Sequence, residues 1–157
     1  MTNRFAMVLW AAAVSACQSA SDTSDLSTED VAAIHATTVR WTTAVQAGKW
    51  DDAAATFTVD ATLWIAGTAH TGRAAIRDFH ASMPPWNPTR VLHIDEIRGS
   101  GDLAYVVGHA TIVPEGSSTP VVVSRTLDIR MRQTDGTWLY VRDMVTPIPL
   151  PPKPPNR

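Results

Sequence analysis

The chain has 157 residues, of which 45% are apolar and 18% are charged. This length allows one domain with a well-formed core but is too short for two ordinary domains. The net charge is -2 and the acidic and basic residues are interspersed. The sequence therefore lacks the basic surface that binds a phosphate backbone, and we expect no nucleic acid partner.

The N-terminal segment has the layout of an export signal. Arg4 supplies a positive charge, an apolar run spans residues 5–14, and two small residues precede Cys17. A helix needs about 20 residues to cross a bilayer, so we expect cleavage rather than a permanent anchor. Residues 14–17, Val-Ser-Ala-Cys, resemble the lipobox of bacterial lipoproteins. This resemblance implies a signal peptide over residues 1–16 and lipidation of Cys17.

Two interpretations of this cysteine remain open. Lipidation places the chain in the cell envelope, and Gln18 at the next position resembles the signal for the periplasmic face of the outer membrane in bacteria with two membranes. The alternative is an ordinary secretory signal that is cleaved near Ala16 or Ala20. Cys17 is the only cysteine, so an intramolecular disulfide cannot stabilise the fold.

The segments that flank the domain hold little that can be buried. Residues 17–27 are rich in Ser, Asp and Thr, which predicts a flexible tether from the lipidated cysteine. Residues 147–157 contain six prolines and favour a stiff, extended tail. One domain is therefore assigned to residues 28–146.

Helical patterns dominate the first half of this domain. Ser27 has the position of an N-cap before an acidic turn, and apolar residues then recur at steps of three and four until Gly48. A shorter helix is predicted over residues 50–58. A third helix begins at Gly72 and ends at Pro84, because proline lacks an amide donor and disfavours helical backbone at the residue before it.

Alternating patterns predict five strands. The first strand spans residues 60–67, between the second and third helices. From residue 89 onward turn residues separate four more alternating segments, at 89–98, 102–113, 121–133 and 137–146. This order predicts an α+β fold in which the helices pack on one face of a curved antiparallel sheet.

Several local phrases, in the same order as these elements, are similar to those of the nuclear transport factor two-like superfamily. They are Ala-Gly at 47–48, Asp-Ala at 60–61, Gly-Arg-Ala-Ala-Ile at 72–76, Gly-Asp-Leu-Ala-Tyr at 101–105 and Asp-Gly-Thr-Trp at 135–138. Lys49 departs from the pattern, since an acidic helix cap is common there. The resemblance implies the cystatin-like cone of ketosteroid isomerases and SnoaL-like cyclases. It selects no activity, because the superfamily includes isomerases, cyclases, dehydratases and non-catalytic modules.

The last two strands allow a register to be predicted. A three-residue loop over 134–136, with a left-handed Gly136, pairs residues whose numbers sum to 270. A two-residue loop would place Asp128 opposite Asp143, and like charges in that position destabilise a sheet. The preferred three-residue loop places Asp128 opposite Arg142. It gathers the apolar side chains on the other face, namely Leu127, Ile129, Met131, Leu139, Val141 and Val145.

Arg125 and Asp143 also fall on this apolar face. Burying either charge alone is costly, so the two should form a closed ion pair or line a cavity, and both alternatives remain open. His109 is placed opposite Arg125 if Val113 pairs with Val121.

Large side chains on the predicted apolar faces are candidates for the wall of a cavity, or for ordinary core positions. They are Trp41, Trp64, Phe79, His80 and Tyr105. The five histidines show no metal-ligand spacing, and the chain has no phosphate loop or nucleotide fingerprint. We therefore expect neither a metal site nor a cofactor.

Two functions of different classes follow from these patterns. The first is a lipid-tethered module that holds a small apolar molecule or an envelope protein without chemistry. The second is a cofactor-free isomerase, cyclase or dehydratase in which Asp143 is the general base and Arg125, Tyr105 or His109 stabilises an oxyanion. The strand at 102–113 is apolar on both sides, so a homodimer is expected with either function.

Overall fold

The computed structural model describes residues 25–84 and 86–150. The predicted signal peptide, Cys17 and the end of the proline-rich tail lie outside these residues. The described elements, in chain order, are α1 Thr28–Gln46, α2 Trp50–Ala54, β1 Phe57–Ile65, β2 Thr68–Thr71, α3 Arg73–Ser82, β3 Val91–Ser100, β4 Leu103–Ile112, β5 Val121–Arg132 and β6 Trp138–Pro147. None of the described helices is long and apolar enough to span a membrane.

The strands form one sheet in the order β2-β1-β6-β5-β4-β3. The predicted α+β class is confirmed, with α1 and α3 packed against one face, which we call the inner face. The sheet is mixed rather than wholly antiparallel, because β1 runs parallel to β6. Sequence analysis missed β2, a short and mostly polar strand that a tight turn at Ala66 and Gly67, both with positive φ, joins to β1.

A capping carboxylate fastens α1 to the sheet. Ser27 and Asp30 form the predicted N-cap, in which each side chain accepts a hydrogen bond from the other residue's amide. Asp30 also accepts a hydrogen bond of 3.2 Å from the indole of Trp138. Two turns further along, the hydroxyl of Thr37 donates to the carbonyl of Trp138 at 2.6 Å. The start of β6 is therefore held directly beneath the helix.

The core lies between the helices and the inner face. Ile34 of α1 is fully buried against Ala104, Val106 and Trp138. A second cluster joins Ile76 of α3 to β1 and β6. The opposite, outer face of the sheet carries several large apolar side chains that are about half exposed, namely Leu103, Leu127, Met131 and Met144.

The register of β5 and β6 follows the prediction only next to the turn. Gly136 is left-handed, and Arg130 pairs with Tyr140 as the three-residue loop requires. Beyond that pair a β-bulge at Val141 adds one residue to β6, so that Asp128 faces Asp143. A bulge of this kind shifts every later pair by one position and turns the side chains over.

The two faces of β5 are reversed relative to the prediction. Asp128 and Arg130 are buried on the inner face, whereas Leu127, Ile129 and Met131 lie on the outer face. Arg142, expected opposite Asp128, instead pairs with Ile129. The alternation along β5 was therefore recognised correctly, but its polar positions face inward.

Truncation of a core contact of α1 tests the packing of this helix. Ile34→Ala should lower the free energy of unfolding by about 2–5 kcal/mol, because it leaves a cavity beneath the helix. Denaturant titration followed by circular dichroism measures this change. The matched control is Val39→Ala on the same helix, where the side chain is 62% exposed, and the expected change is below about 0.5 kcal/mol. Equal losses in the two variants would contradict the docking of α1.

Candidate functional site

The inner face of the sheet, α1, α3 and the segment between α3 and β3 surround a cavity of about 300 Å³. This volume lies at the lower end of the range for pockets that bind small molecules. Its aromatic lining residues are Trp41, Trp50, Phe79, His80, Trp86 and Tyr140. Its polar lining residues include Thr38, Arg90, Ser124, Thr126, Asp128, Arg130 and Asp143. An apolar wall with a few polar groups is typical of a ligand site.

A buried arginine ties three elements together at the cavity. The Arg130 side chain is 1% exposed, and its Nε donates to Asp128 at 2.7 Å. Its two terminal nitrogens donate to the carbonyl of Ile34 at 2.6 Å and to the hydroxyl of Tyr140 at 2.9 Å. The charge of Arg130 is thereby compensated by Asp128, and both side chains are fixed in position.

Asp143 faces this pair from β6 but lacks such a partner. The residue is 9% exposed, and its Oδ1 is buried with no hydrogen bond to any described residue. Burial raises the pKa of Asp143 to about 8, repulsion from Asp128 adds to the shift, and attraction by Arg130 opposes it. Burial also raises the pKa of Asp128, but attraction and hydrogen bonds from Arg130 oppose that shift. We therefore assign the negative charge of the two carboxyls to Asp128 and the proton at neutral pH to Asp143.

Other polar atoms at the cavity are also buried and unpaired among the described residues. They are Nε1 of Trp41, Nε2 of His80, Nε1 of Trp86 and Nε of Arg90. Burial lowers the pKa of His80 to about 4, with a smaller contribution from His70, so this imidazole is neutral at physiological pH. Buried polar groups are normally hydrogen-bonded, so the cluster indicates that a bound molecule or water satisfies them.

Some of the residues expected at a cavity do line it. Asp143, Trp41, Phe79 and His80 all border the same space. Trp64 does not, because it lies on the outer face in register with Met144 and is 36% exposed.

Of the three residues predicted to stabilise an oxyanion, Tyr105 and Arg125 do not line the cavity and His109 reaches only its edge. Tyr105 donates its hydroxyl to Glu96 at 2.7 Å. His109 pairs across the strands with Arg125, as expected, although Ile112 rather than Val113 pairs with Val121. Arg125 is exposed and does not line the cavity with Asp143, so both alternatives for this pair, a closed ion pair and a shared cavity wall, are wrong.

His109 reaches the edge of the cavity, but its ring is engaged elsewhere. Its Nδ1 lies 2.8 Å from Asp95, and its ring stacks on His93 at 4.6 Å between centroids. The bulge at Val141 separates Arg125 from Asp143, because it turns Asp143 to the inner face while Arg125 stays on the outer face.

Sequence analysis missed the residues that complete this site. Asp128 and Arg130 are two positions apart on one strand, a spacing that lets opposite charges satisfy each other on the same face. This spacing favours a paired, inward-facing Asp128 and Arg130, in competition with the apolar alternation beside it. Arg90 and Trp86 lie in an irregular segment, where periodicity gives no indication of side-chain direction. Among the described residues no group of His, Cys, Asp or Glu could hold a metal ion.

Comparison with protein families identifies the domain. The model of the SnoaL-like domain matches residues 38–141. The chain belongs to the SnoaL-like domain family. Its fold is thus the one that the sequence phrases indicated. No curated protein sequence matches this SnoaL-like chain significantly.

Solved structures share the fold of this SnoaL-like domain. A ketosteroid isomerase-like protein from Erwinia carotovora atroseptica has a TM-score of 0.62 and 21% identity, over 79% of this chain and 100% of that one. A protein of unknown function with a cystatin-like fold from Nostoc punctiforme has a TM-score of 0.66 and 17% identity, over 79% and 95%. An NTF2-like protein from Novosphingobium aromaticivorans has a TM-score of 0.62 and 19% identity, over 76% and 82%. At these identities the similarity shows the fold alone.

The unusual carboxyl of this SnoaL-like domain should make its stability depend on pH. The pKa of Asp143 is about 8 in the folded protein and about 3.8 for an unperturbed aspartate, so the folded state binds this proton more tightly. The stabilisation that this proton gives the folded state is complete below about pH 4. It falls by up to about 1.4 kcal/mol per pH unit above that and is lost once the pH has risen through 8. Asp143→Asn should flatten this slope in urea titrations at several pH values. Asp52→Asn, at an exposed site, should retain it; equal slopes in all three proteins would contradict a buried, protonated Asp143.

Proposed function

We propose that this domain binds a small, largely apolar molecule in its cavity and catalyses proton transfer on it without a cofactor. Asp143 is the general base. The observation that carries the proposal is the buried, unpaired Oδ1 of Asp143 at the cavity. A carboxyl that is needed only for stability would be paired, as Asp128 is with Arg130.

The pKa of Asp143 suits this chemistry. General acid–base catalysis is most efficient when the pKa of the catalytic group lies near the working pH, and burial raises the pKa of Asp143 to about 8. Once ionised, Asp143 is a stronger base than an ordinary carboxylate and can remove a proton from a carbon next to a carbonyl group. The same carboxyl can then return the proton to another position, as an isomerase requires.

The negative charge that develops on the carbonyl oxygen needs a donor. Trp41 lines the cavity and its indole Nε1 has no hydrogen-bond partner among the described residues, so we assign this donor to that oxygen. His80 is neutral because burial lowers its pKa to about 4, so it offers a hydrogen-bonding nitrogen rather than a charge. Arg130 is not available for this role, since its contacts hold Asp128, Ile34 and Tyr140.

A second candidate function is binding without chemistry. The unpaired atoms of Trp41, His80 and Trp86 support it directly, because a ligand that only fills the cavity would satisfy them equally well. The two candidates differ in whether Asp143 exchanges a proton with the bound molecule. A small molecule is the ligand in both, because it fits a cavity of about 300 Å³. Binding of an envelope protein at the surface stays a prediction.

Deuterium exchange separates these two functions without knowledge of the product. The protein is incubated with a panel of small apolar ketones in D2O, and incorporation next to the carbonyl is followed by NMR. We expect exchange that quickens as pH rises through 8, and a loss of about 100-fold or more in Asp143→Asn. Binding of the same ketones, measured by calorimetry, should persist in this variant, and Asp52→Asn should behave as the unaltered protein.

Each remaining outcome has a defined meaning. Binding without exchange in the unaltered protein would contradict catalysis and support the binding function. Exchange that survives Asp143→Asn would contradict the assignment of this base. Failure of every ketone to bind would count against both functions.

We further propose that the chain is exported, lipidated on Cys17 and held in the cell envelope as a homodimer. The lipobox resemblance at residues 14–17 supports the anchor. The outer face supports the dimer, because Leu127 pairs with Met144 and with Val107 to form an apolar row across three strands. Soluble monomers rarely leave large apolar patches of this kind in contact with water.

Native mass spectrometry of the protein from its own membrane, in mild detergent, tests both statements. The expected species is a dimer whose subunits begin at Cys17 and carry a diacylglyceryl group. Leu127→Glu should give single chains, since it places a charge in the apolar row, while Cys17→Ala should remain unlipidated. An unmodified Cys17 would contradict the anchor, and a single-chain mass for the unaltered protein would contradict the dimer.

A further inference from the structure

Arg90 places a positive charge at one end of the cavity. This end lies beside Ser124 of β5, and Asp128 lines the cavity further along the same strand. Its guanidinium lies 4.5 Å above the ring centroid of Trp86, and one terminal nitrogen donates to the hydroxyl of Ser124 at 3.3 Å. The Nε of Arg90 is buried and has no partner among the described residues. Arg90 lines the cavity, and its guanidinium thus keeps at least one donor without a partner among the described residues.

The charges around the cavity do not compensate Arg90. Arg130 and Asp128 neutralise each other, and Asp143 retains its proton at neutral pH because its pKa is raised to about 8. No carboxylate of the described residues forms an ion pair with Arg90, and burial alone lowers its pKa. An arginine remains charged even so, and a partly buried charge without a counter-ion is costly.

We propose that Arg90 binds a carboxylate group of the ligand, so that the natural ligand is a small aromatic or alicyclic acid rather than a neutral molecule. This inference rests on the proposed function of the cavity and adds the class of ligand. A planar guanidinium matches a carboxylate in geometry as well as in charge. The free indole Nε1 of Trp86 is a further donor beside it.

The positions of the lining residues also determine the orientation of the ligand in the cavity. Ser124, which Arg90 contacts, and Asp128, which faces Asp143, are four residues apart on the same face of β5. At about 3.3 Å per residue this separation is about 13 Å. The carboxylate of the ligand therefore lies at the end remote from Asp143. The edge-to-face pair of Trp41 and Trp86, with centroids 5.3 Å apart, provides an aromatic wall for its apolar body.

A matched pair of probes isolates the charge of the ligand. 2-Naphthoate and 2-naphthamide have nearly the same shape, but only the first carries a negative charge at pH 7. Calorimetry with the complete chain should show that naphthoate binds about tenfold more tightly or better. In Arg90→Met this preference should disappear, while the affinity for naphthamide stays within about threefold. Retained binding of naphthamide also shows that the variant is folded.

Two further variants complete the test. Arg40→Met removes an exposed arginine of α1 that does not line the cavity, and it should leave the preference for naphthoate unchanged. Arg90→Lys keeps the charge without the planar fork, so an intermediate preference is expected.

The outcomes distinguish this inference from the proposed function. Equal affinity for the two probes, or a preference for naphthoate that persists in Arg90→Met, would overturn the role of Arg90 and leave the cavity as a site for neutral molecules. Failure of both probes to bind at millimolar concentration would count against ligand binding in the cavity itself. A preference that Arg40→Met abolishes equally would show a general charge effect and would also overturn the inference.

Discussion

The charge of Arg130 cannot be buried unless its surroundings compensate it, and the organisation of the domain follows from how this is done. Its guanidinium is hydrogen-bonded to the main chain of α1, to the hydroxyl of Tyr140 on β6 and to the carboxylate of Asp128 beside it on β5. Removal of one member would leave an uncompensated charge or an unpaired donor in the core. The same contacts that fix α1 on the sheet therefore also determine which carboxyl at the cavity keeps a proton.

The bulge at Val141 creates the functional asymmetry. It places Asp143 directly opposite Asp128, a pairing of like groups that a sheet normally avoids. The pairing is tolerated because the two carboxyls differ in state: Asp128 is ionised beside Arg130, and Asp143 is neutral in an apolar cavity. Bulges recur next to active sites because they redirect a side chain at little cost to the rest of the strand. The single extra residue thus places the buried carboxyl of Asp143 beside the ion pair of Asp128 and Arg130.

The fold was largely predictable, because its helices and strands carry clear periodic patterns and because phrases such as residues 72–76 and 135–138 occur in the expected order. The left-handed Gly136 and the first pairs of the last hairpin also followed from turn chemistry. The site was predictable only in part: Asp143, Trp41 and His80 were recognised as candidates, but Arg125 was expected on the same face as Asp143. Each pair of residues in a hairpin determines the next, so one bulge that has no sequence signature reverses the predicted face of every β6 residue beyond it. The short strand β2 and the irregular segment that contains Arg90 lack the periodic pattern from which secondary structure and side-chain direction are predicted.

The proton on Asp143 is the feature on which both the stability and the proposed chemistry of the cavity depend. It can be observed directly by NMR titration of the carboxyl carbons in protein labelled with 13C-aspartate, with Asp143→Asn used to assign the signal. A carboxyl that titrates near pH 8, and whose signal is absent from Asp143→Asn, is the expected result. If every aspartate carboxyl titrates below about pH 5, as ordinary exposed carboxyls do, Asp143 is an ionised group, and the reactive centre described for this cavity does not exist.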